Sequence, residues 1–192
     1  MSEVKQATAQ KGTINGVDVD DLFNTIDAVG DQPQIAKFRF RAENEWKDGA
    51  LNTSRINSYD GACEEHRRTT DFEFHNDEPP VLLGKDRGAN PVEYALHALA
   101  GCLTTSLVYH AAARGVKLNS VESRLEGDID LHGFLNLDPA VRNGYEQVRI
   151  VFKVDADAPQ ETIDELIEVA QQRSPVYDIF SNAVPVQVTR QS

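Results

Sequence analysis

The stretch Asn90-Pro91-Val92-Glu93-Tyr94-Ala95-Leu96-His97-Ala98-Leu99-Ala100-Gly101-Cys102-Leu103-Thr104-Thr105 decides the fold. It opens with helix-start signals: Asn90 is a competent N-cap and Pro91 suits the first helical position. Glu93 stands in the first turn, where the helix dipole favours a carboxylate. No breaker follows before Arg114, and Gly115 supplies the stop. At 1.5 Å per residue such a helix runs roughly 35 Å, enough to cross a small domain. Apolar side chains cover almost every face, so burial on most sides is expected. Halfway along lies Cys102, with Gly101 leaving room beside it.

Working outward, the 192-residue chain is long enough for one domain with a sizeable core. A net charge of −12 leaves no basic stripe for phosphates, so a nucleic-acid partner is excluded. Two cysteines and no arginine-rich or signal-like start point to a reducing cytoplasm. The long helix is not read as a membrane span, because Glu93, His97, Thr104, Thr105, Ser106 and His110 interrupt it.

Residues 1–33 read as a loosely attached N-terminal extension with a short helix at Val19 to Val29, and residues 34–192 as the domain proper. From Ile35 the period is two: Ala36, Phe38, Phe40 and Ala42 alternate with Lys37, Arg39 and Arg41, predicting a half-buried strand. Asp48-Gly49 signals a hairpin, with return strands over Leu51 to Tyr59 and Cys63 to Phe74. After the helix, Val121 to Leu131 and Val148 to Val154 alternate as two more strands. A second helix starts near Pro159, with Ile163, Leu166, Ile167 and Ala170 on one face. Ser174-Pro175 opens a short helical piece, and Val184, Val186 and Val188 predict a final strand. The fold class is therefore α+β, with antiparallel sheets around a long central buried helix.

Motif chemistry is sparse. The run Cys63-Glu64-Glu65-His66 holds ligand types, but neighbours on a strand point to opposite faces, so a metal site is not expected. No Cys-x-x-Cys, His-Glu-x-x-His, Gly-x-Ser-x-Gly or phosphate-cradling glycine loop is present, so no cofactor is expected either. His97 lies about 140° around the helix from Cys102, and His110 about 80°. Ala95, Ala98, Leu99, Thr105, Ser106 and Tyr109 share the thiol's face. Ser174 is fully explained as a cap, yet a helix N-terminus also suits a redox group.

These residues resemble the OsmC/Ohr family of osmotically inducible and organic-hydroperoxide-resistance proteins. The resemblance rests on Asn90-Pro91 opening an Ala-rich helix to Ala100-Gly101-Cys102-Leu103, on Ser174-Pro175-Val176, on Phe38 to Gly49 with Trp46, and on Asp77-Glu78-Pro79. It covers roughly Ile35 to Thr189. It implies an intertwined α+β homodimer with paired sites at the interface. In peroxidase members the cysteine matching Cys102 attacks a hydroperoxide, and a second cysteine, matching Ser174, closes a disulfide reduced by small dithiols. An arginine from the N-terminal hairpin and an early helix glutamate hold the thiolate.

This sequence departs from that pattern. Ser174 cannot form a disulfide, the glutamate position falls on Val92, and Glu93 projects about 100° away. The family arginine falls nearest Lys47, while Arg39 or Arg41 is preferred because a guanidinium keeps its charge when partly buried. Two readings follow. One is a single-cysteine peroxidase for organic hydroperoxides in oxidative-stress defence: Cys102 as nucleophile, Arg39 or Arg41 as cation, Ser174 bonding the sulfur or departing oxygen. Glu93, His97, Leu99 and Tyr109 would meet the substrate, and an external thiol reductant or Cys63 would resolve the sulfenic acid. The other is a non-catalytic protein binding a small apolar ligand at the dimer interface.

Overall fold

The computed structural model describes residues 12–191, so the first eleven residues of the expected extension lie outside the described residues. The chain divides into two compact units: one comprises residues up to Val19 with Leu96 onward, the other Asp20–Ala95.

The Asp20–Ala95 unit is built on an antiparallel sheet. Its strands are β3 (Arg39–Phe40), β4 (Glu43–Asp48), β5 (Leu51–Gly61) and β6 (Glu64–Asn76). Central β5 pairs with β3 and β4 along one edge and with β6 along the other. Gly49, at φ 58°, turns the β4–β5 hairpin, and Trp46 Nε1 donates to its carbonyl at 2.9 Å. Ala62 and Cys63 both take left-handed φ values and close β5 onto β6 as a two-residue turn. The strand expected from Ala36 to Ala42 is corrected. Pro33–Ala36 forms a 3₁₀ turn, and only Arg39 and Phe40 pair, with Asp60 and Tyr59. β4 already occupies β5 from Arg55 down, which leaves only the Tyr59–Asp60 end of β5 to this segment. Phe38 and Phe40 stay exposed rather than half-buried.

The connection from β6 to the long helix is organised by Asp77, which is fully buried. Its carboxylate accepts from the backbone N–H groups of Glu78, Lys85 and Arg87 and from Arg87 Nε. Helix α2 (Pro91–Ala113) then starts on a capping box. Asn90 Oδ1 accepts from Val92 N–H, and Asn90 N–H donates to Glu93 Oε2, both at 2.9 Å. Gly115, at φ 72°, ends it as expected.

In the other unit, α2 buries the i, i+4 row Leu99, Leu103, Leu107 and Ala111. Each such leucine is worth roughly 1.5–3 kcal/mol of transfer free energy. Other faces of α2 remain half-buried or exposed in the single chain, Tyr109 among them. Strands β7 (Leu118–Asp128) and β8 (Gln147–Ala156) pair antiparallel, with half-buried and exposed residues alternating as their sequence demands. Leu131 does not extend β7; Asp130 caps α3 (Leu131–Phe134) instead, accepting from His132 N–H. Helix α4 (Gln160–Arg173) buries Ile163, Leu166 and Ala170 and packs against β8 and α5 (Pro175–Ser181).

The hairpin of β1 (Thr13–Ile14) and β2 (Val17–Asp18) belongs to this unit. Asn15 Nδ2 donates to Val116 O and its Oδ1 accepts from Leu118 N–H, each at 2.9 Å, so one amide ties the hairpin to the start of β7. It feeds α1 (Val19–Asp31), where the short helix was expected. The final strand is corrected: Val184, Val186 and Val188 belong to no regular element and are unpaired among the described residues, and Val188 is 91% exposed. Alternation alone makes no strand where no neighbouring strand offers its ladder.

Candidate functional site

Cys102 is a free, half-buried thiol on the flank of α2 beside the buried leucine row. Tyr109, seven residues on and therefore nearly eclipsed with it on the helix, is 47% exposed, so this flank is open. A Cβ placed on Gly101 would meet nothing within 4 Å, so there is open space one residue away. His97 and Glu93 are exposed, and the Glu93 carboxylate is engaged in the capping box at Asn90. His110 is half-buried. Burial first, then the charges of Arg114 and Arg173, hold its imidazole below the usual histidine range and favour the neutral ring.

Ser174 is 2% exposed and caps α5, its Oγ accepting from Tyr177 N–H at 3.1 Å. Tyr177 in turn accepts at its hydroxyl from Gln171 Nε2 at 2.6 Å. Leu99 and Tyr177 line a cavity of about 460 Å³, walled also by Val148, Ile150, Phe180 and Arg142. A smaller cavity of about 80 Å³ lies between Leu103, Phe152, Ile167 and Tyr177. Leu99 and the α5 segment opened by Ser174 are thus brought together within one unit.

Arg39 and Arg41 lie in the Asp20–Ala95 unit, where both are held by one carboxylate. Arg41 Nη2 is 2.5 Å from Asp60 Oδ2, and Arg39 Nη1 is 3.7 Å from it. The Arg41 bond is the main reason the Asp60 carboxyl sits below the ordinary carboxylate range. Lys47 pairs with Glu45 at 2.6 Å, and Arg55 meets Asp71 and Glu73. The run from Cys63 to His66 does not converge: Cys63 is exposed in its turn, and His66 stacks on Tyr59 with Nε2 3.0 Å from Gly61 O. Among the described residues no group of three or more His, Cys, Asp and Glu could hold a metal ion, and no helix is long and apolar enough to cross a membrane.

Sequence reasoning missed three features: the Asp77–Arg87 clamp, the cavity behind Leu99, and the ring-flanked Arg68 of β6. The cavity joins residues far apart in the chain, and the clamp spans a loop with no regular pattern of its own. The third had one available signal, a strand pattern broken by Thr69-Thr70 inside an over-long run.

The sequence profile of OsmC-like proteins matches residues 84–189. Among solved structures, an OsmC-like protein of Mycoplasma pneumoniae superposes with a TM-score of 0.59 at 14% identity, covering 76% of this chain and 89% of that one. A protein from Psychrobacter arcticus named for osmotic stress induction and detoxification response gives 0.54 at 14% identity, covering 72% and 85%. An OsmC-like protein of unknown function from Vibrio cholerae gives 0.54 at 12% identity, covering 73% and 92%. At these identities the likeness is one of fold. None of the curated proteins matches the chain.

Proposed function

Since the chain belongs to the family of OsmC-like proteins, we propose that it is a thiol-dependent peroxidase that reduces organic hydroperoxides through the single cysteine Cys102. The observation that carries this reading is the free thiol of Cys102, half-buried on an open flank of α2 next to the unfilled space at Gly101. The thiolate attacks one peroxide oxygen, the O–O bond breaks, and the alkoxide leaves and takes up a proton as an alcohol. The sulfur is left as a sulfenic acid. One external thiol condenses with it and releases water; a second thiol then frees Cys102 and leaves as a disulfide.

Arg39 and Arg41 are the cations of this reading. Arg39, 76% exposed and at the longer distance from Asp60, is the freer of the two. Glu93, His97, Leu99 and Tyr109 make up the substrate surface, and Ser174 bonds the sulfur or departing oxygen. Two free cysteines suit a reducing cytoplasm. The working unit is a homodimer, supported by the apolar side chains each unit leaves in solvent: Trp46, Val81 and Leu83 in one, Tyr109, Val151 and Val188 in the other.

The second reading, a non-catalytic protein that binds a small apolar ligand at the dimer interface, draws on the 460 Å³ cavity behind Leu99, which falls in the size range of small-molecule sites and is walled by both apolar and polar side chains. One experiment separates the two. Treated with cumene hydroperoxide and a dimedone trap, wild-type protein should show the adduct on Cys102 by mass spectrometry, and turnover should require added thiol. A Cys102 that stays reduced under conditions that oxidise glutathione leaves the binding reading. Light scattering showing a stable folded monomer at micromolar concentration would end the homodimer.

A further inference from the structure

Strand β6 does not follow β5 evenly. Between the pairs Ser58↔Arg67 and Ile56↔Phe72, the residues Arg68, Thr69, Thr70 and Asp71 stand opposite the single residue Asn57. A bulge of this size re-aims a side chain and interrupts a ladder, and bulges concentrate next to binding and active sites. Here it brings Arg68 against two aromatic rings, with its Cζ 5.2 Å from the Tyr59 centroid and 5.3 Å from that of Phe72. Tyr59 is itself stacked on His66 and lies against Phe38 and Phe40, so the guanidinium sits at the edge of an aromatic cluster.

The guanidinium is electrostatically unfinished. Its Nε is buried without a hydrogen-bond partner, and among the described residues Arg68 forms no ion pair. In the same unit Arg39 and Arg41 share Asp60, Arg55 meets Asp71 and Glu73, and Arg87 meets Asp77 and Asp48. The whole chain carries 31 acidic residues against 19 basic ones, so acids are not scarce. Among the described residues Arg67 also forms no ion pair, but it is exposed to solvent; Arg68 is half-buried. A buried N–H without an acceptor is costly unless a ligand or partner brings one.

We propose that Arg68, Tyr59 and Phe72 form a binding site for the carboxylate of a small aromatic acid, separate from the chemistry assigned to Cys102. Both rings lie against the guanidinium, and its fork of N–H donors matches the two oxygens of a carboxylate. The aromatic cluster offers the body of the ligand an apolar surface. A free phosphate can use the same fork but brings no apolar body for the rings to cover, so the aromatic surface favours an aromatic acid. Phe72 is 47% exposed, so this end of the cluster opens to solvent.

The test is calorimetric titration of the full chain at neutral pH with phenylacetate, with 2-phenylethanol as the uncharged analogue and inorganic phosphate as the bare anion. Saturable binding of one phenylacetate per chain is expected, with neither control binding in its place. Arg68→Lys should weaken it tenfold or more, Arg68→Met should abolish it with an unchanged circular dichroism spectrum, and Cys102→Ser should leave it intact. Equal binding of 2-phenylethanol, full affinity in both Arg68 variants, or no saturable binding to the wild type would each overturn the proposal. So would a change of oligomeric mass in Arg68→Lys, which would mean that a second copy covers this face. The Cys102→Ser arm keeps failure here distinct from failure of the peroxidase reading.

Discussion

Asp77 and Arg87 meet at 2.7 Å, Oδ2 to Nε, with the carboxylate fully buried and the guanidinium reaching on to the carbonyl of Asp48. Nine residues of loop are held between them, and that loop delivers Asn90 to the N-cap of α2. The site helix is therefore anchored by an ion pair in a loop, as well as by its own capping box.

That arrangement fixes a pH dependence. The Arg87 bond, assisted by the N–H groups of Glu78 and Arg87, lowers the Asp77 carboxyl from 3.8 to about 2. A carboxylate depressed in the folded state stabilises fully above its unfolded pKa, and that stability is lost as pH falls through the folded value. Asp77→Asn should therefore melt below wild type at pH 7, and the gap in Tm should close between about pH 4 and pH 2. A gap that persists at pH 2, or that never opens at pH 7, contradicts the clamp.

The same loop has no room for a side chain at Gly84. A Cβ there would lie 1.7 Å from the backbone oxygen of Glu78, which cannot swing away as a side-chain tip could. Gly84→Ala should lower Tm strongly and speed proteolysis within residues 77–90, whereas Gly101→Ala, with nothing within 4 Å, should leave stability nearly unchanged. Thermal melts with limited digestion check both.

The leucine row of α2 supplies a core prediction. Leu107 has no exposure, and Leu107→Ala should cost about 2–5 kcal/mol through lost transfer free energy and a cavity. Urea denaturation measures it, and a loss below about 1 kcal/mol would mean that the row is not the core of its unit.

His110 tests the electrostatics around α2. Burial is the main cause of its lowered pKa, with Arg114 and Arg173 adding repulsion. Removing one charge in Arg173→Gln should raise the imidazole pKa while leaving it below 6.5, because the burial remains. Proton NMR titration reads this, and a fall on losing Arg173 would reverse the assigned sign.

Local grammar carried most of the fold. Asn90 and Glu93 form the box their spacing promised, Ser174 caps where Ser-Pro said it would, and β7 and β8 alternate as written. What escaped depends on partners distant in sequence. Val184, Val186 and Val188 have strand character, but pairing belongs to a neighbour that no single segment specifies. Arg68 looks like any strand arginine until the bulge against Asn57 turns it against two rings. Arg39 and Arg41 were legible as cations, while their common attachment to Asp60 needed the β3–β5 register.

The last prediction concerns Ser174 and the fate of an oxidised Cys102. Ser174 has no sulfur, and its Oγ already serves the N–H of Tyr177. A Cys102 sulfenic acid therefore finds no resolving partner at this position and, under excess hydroperoxide without thiol, should advance to sulfinic and sulfonic acids. Mass spectrometry should show two and then three added oxygen atoms on the Cys102 peptide. Ser174→Cys should divert the intermediate into an internal disulfide, provided the two Cα atoms lie within about 7 Å. The product would then carry two hydrogens fewer and no added oxygen. Ser174→Ala is the control: loss of the cap should cost about 1 kcal/mol and leave over-oxidation unchanged. Should wild-type Cys102 instead escape over-oxidation as a disulfide under the same excess, a resolving thiol other than residue 174 is at work.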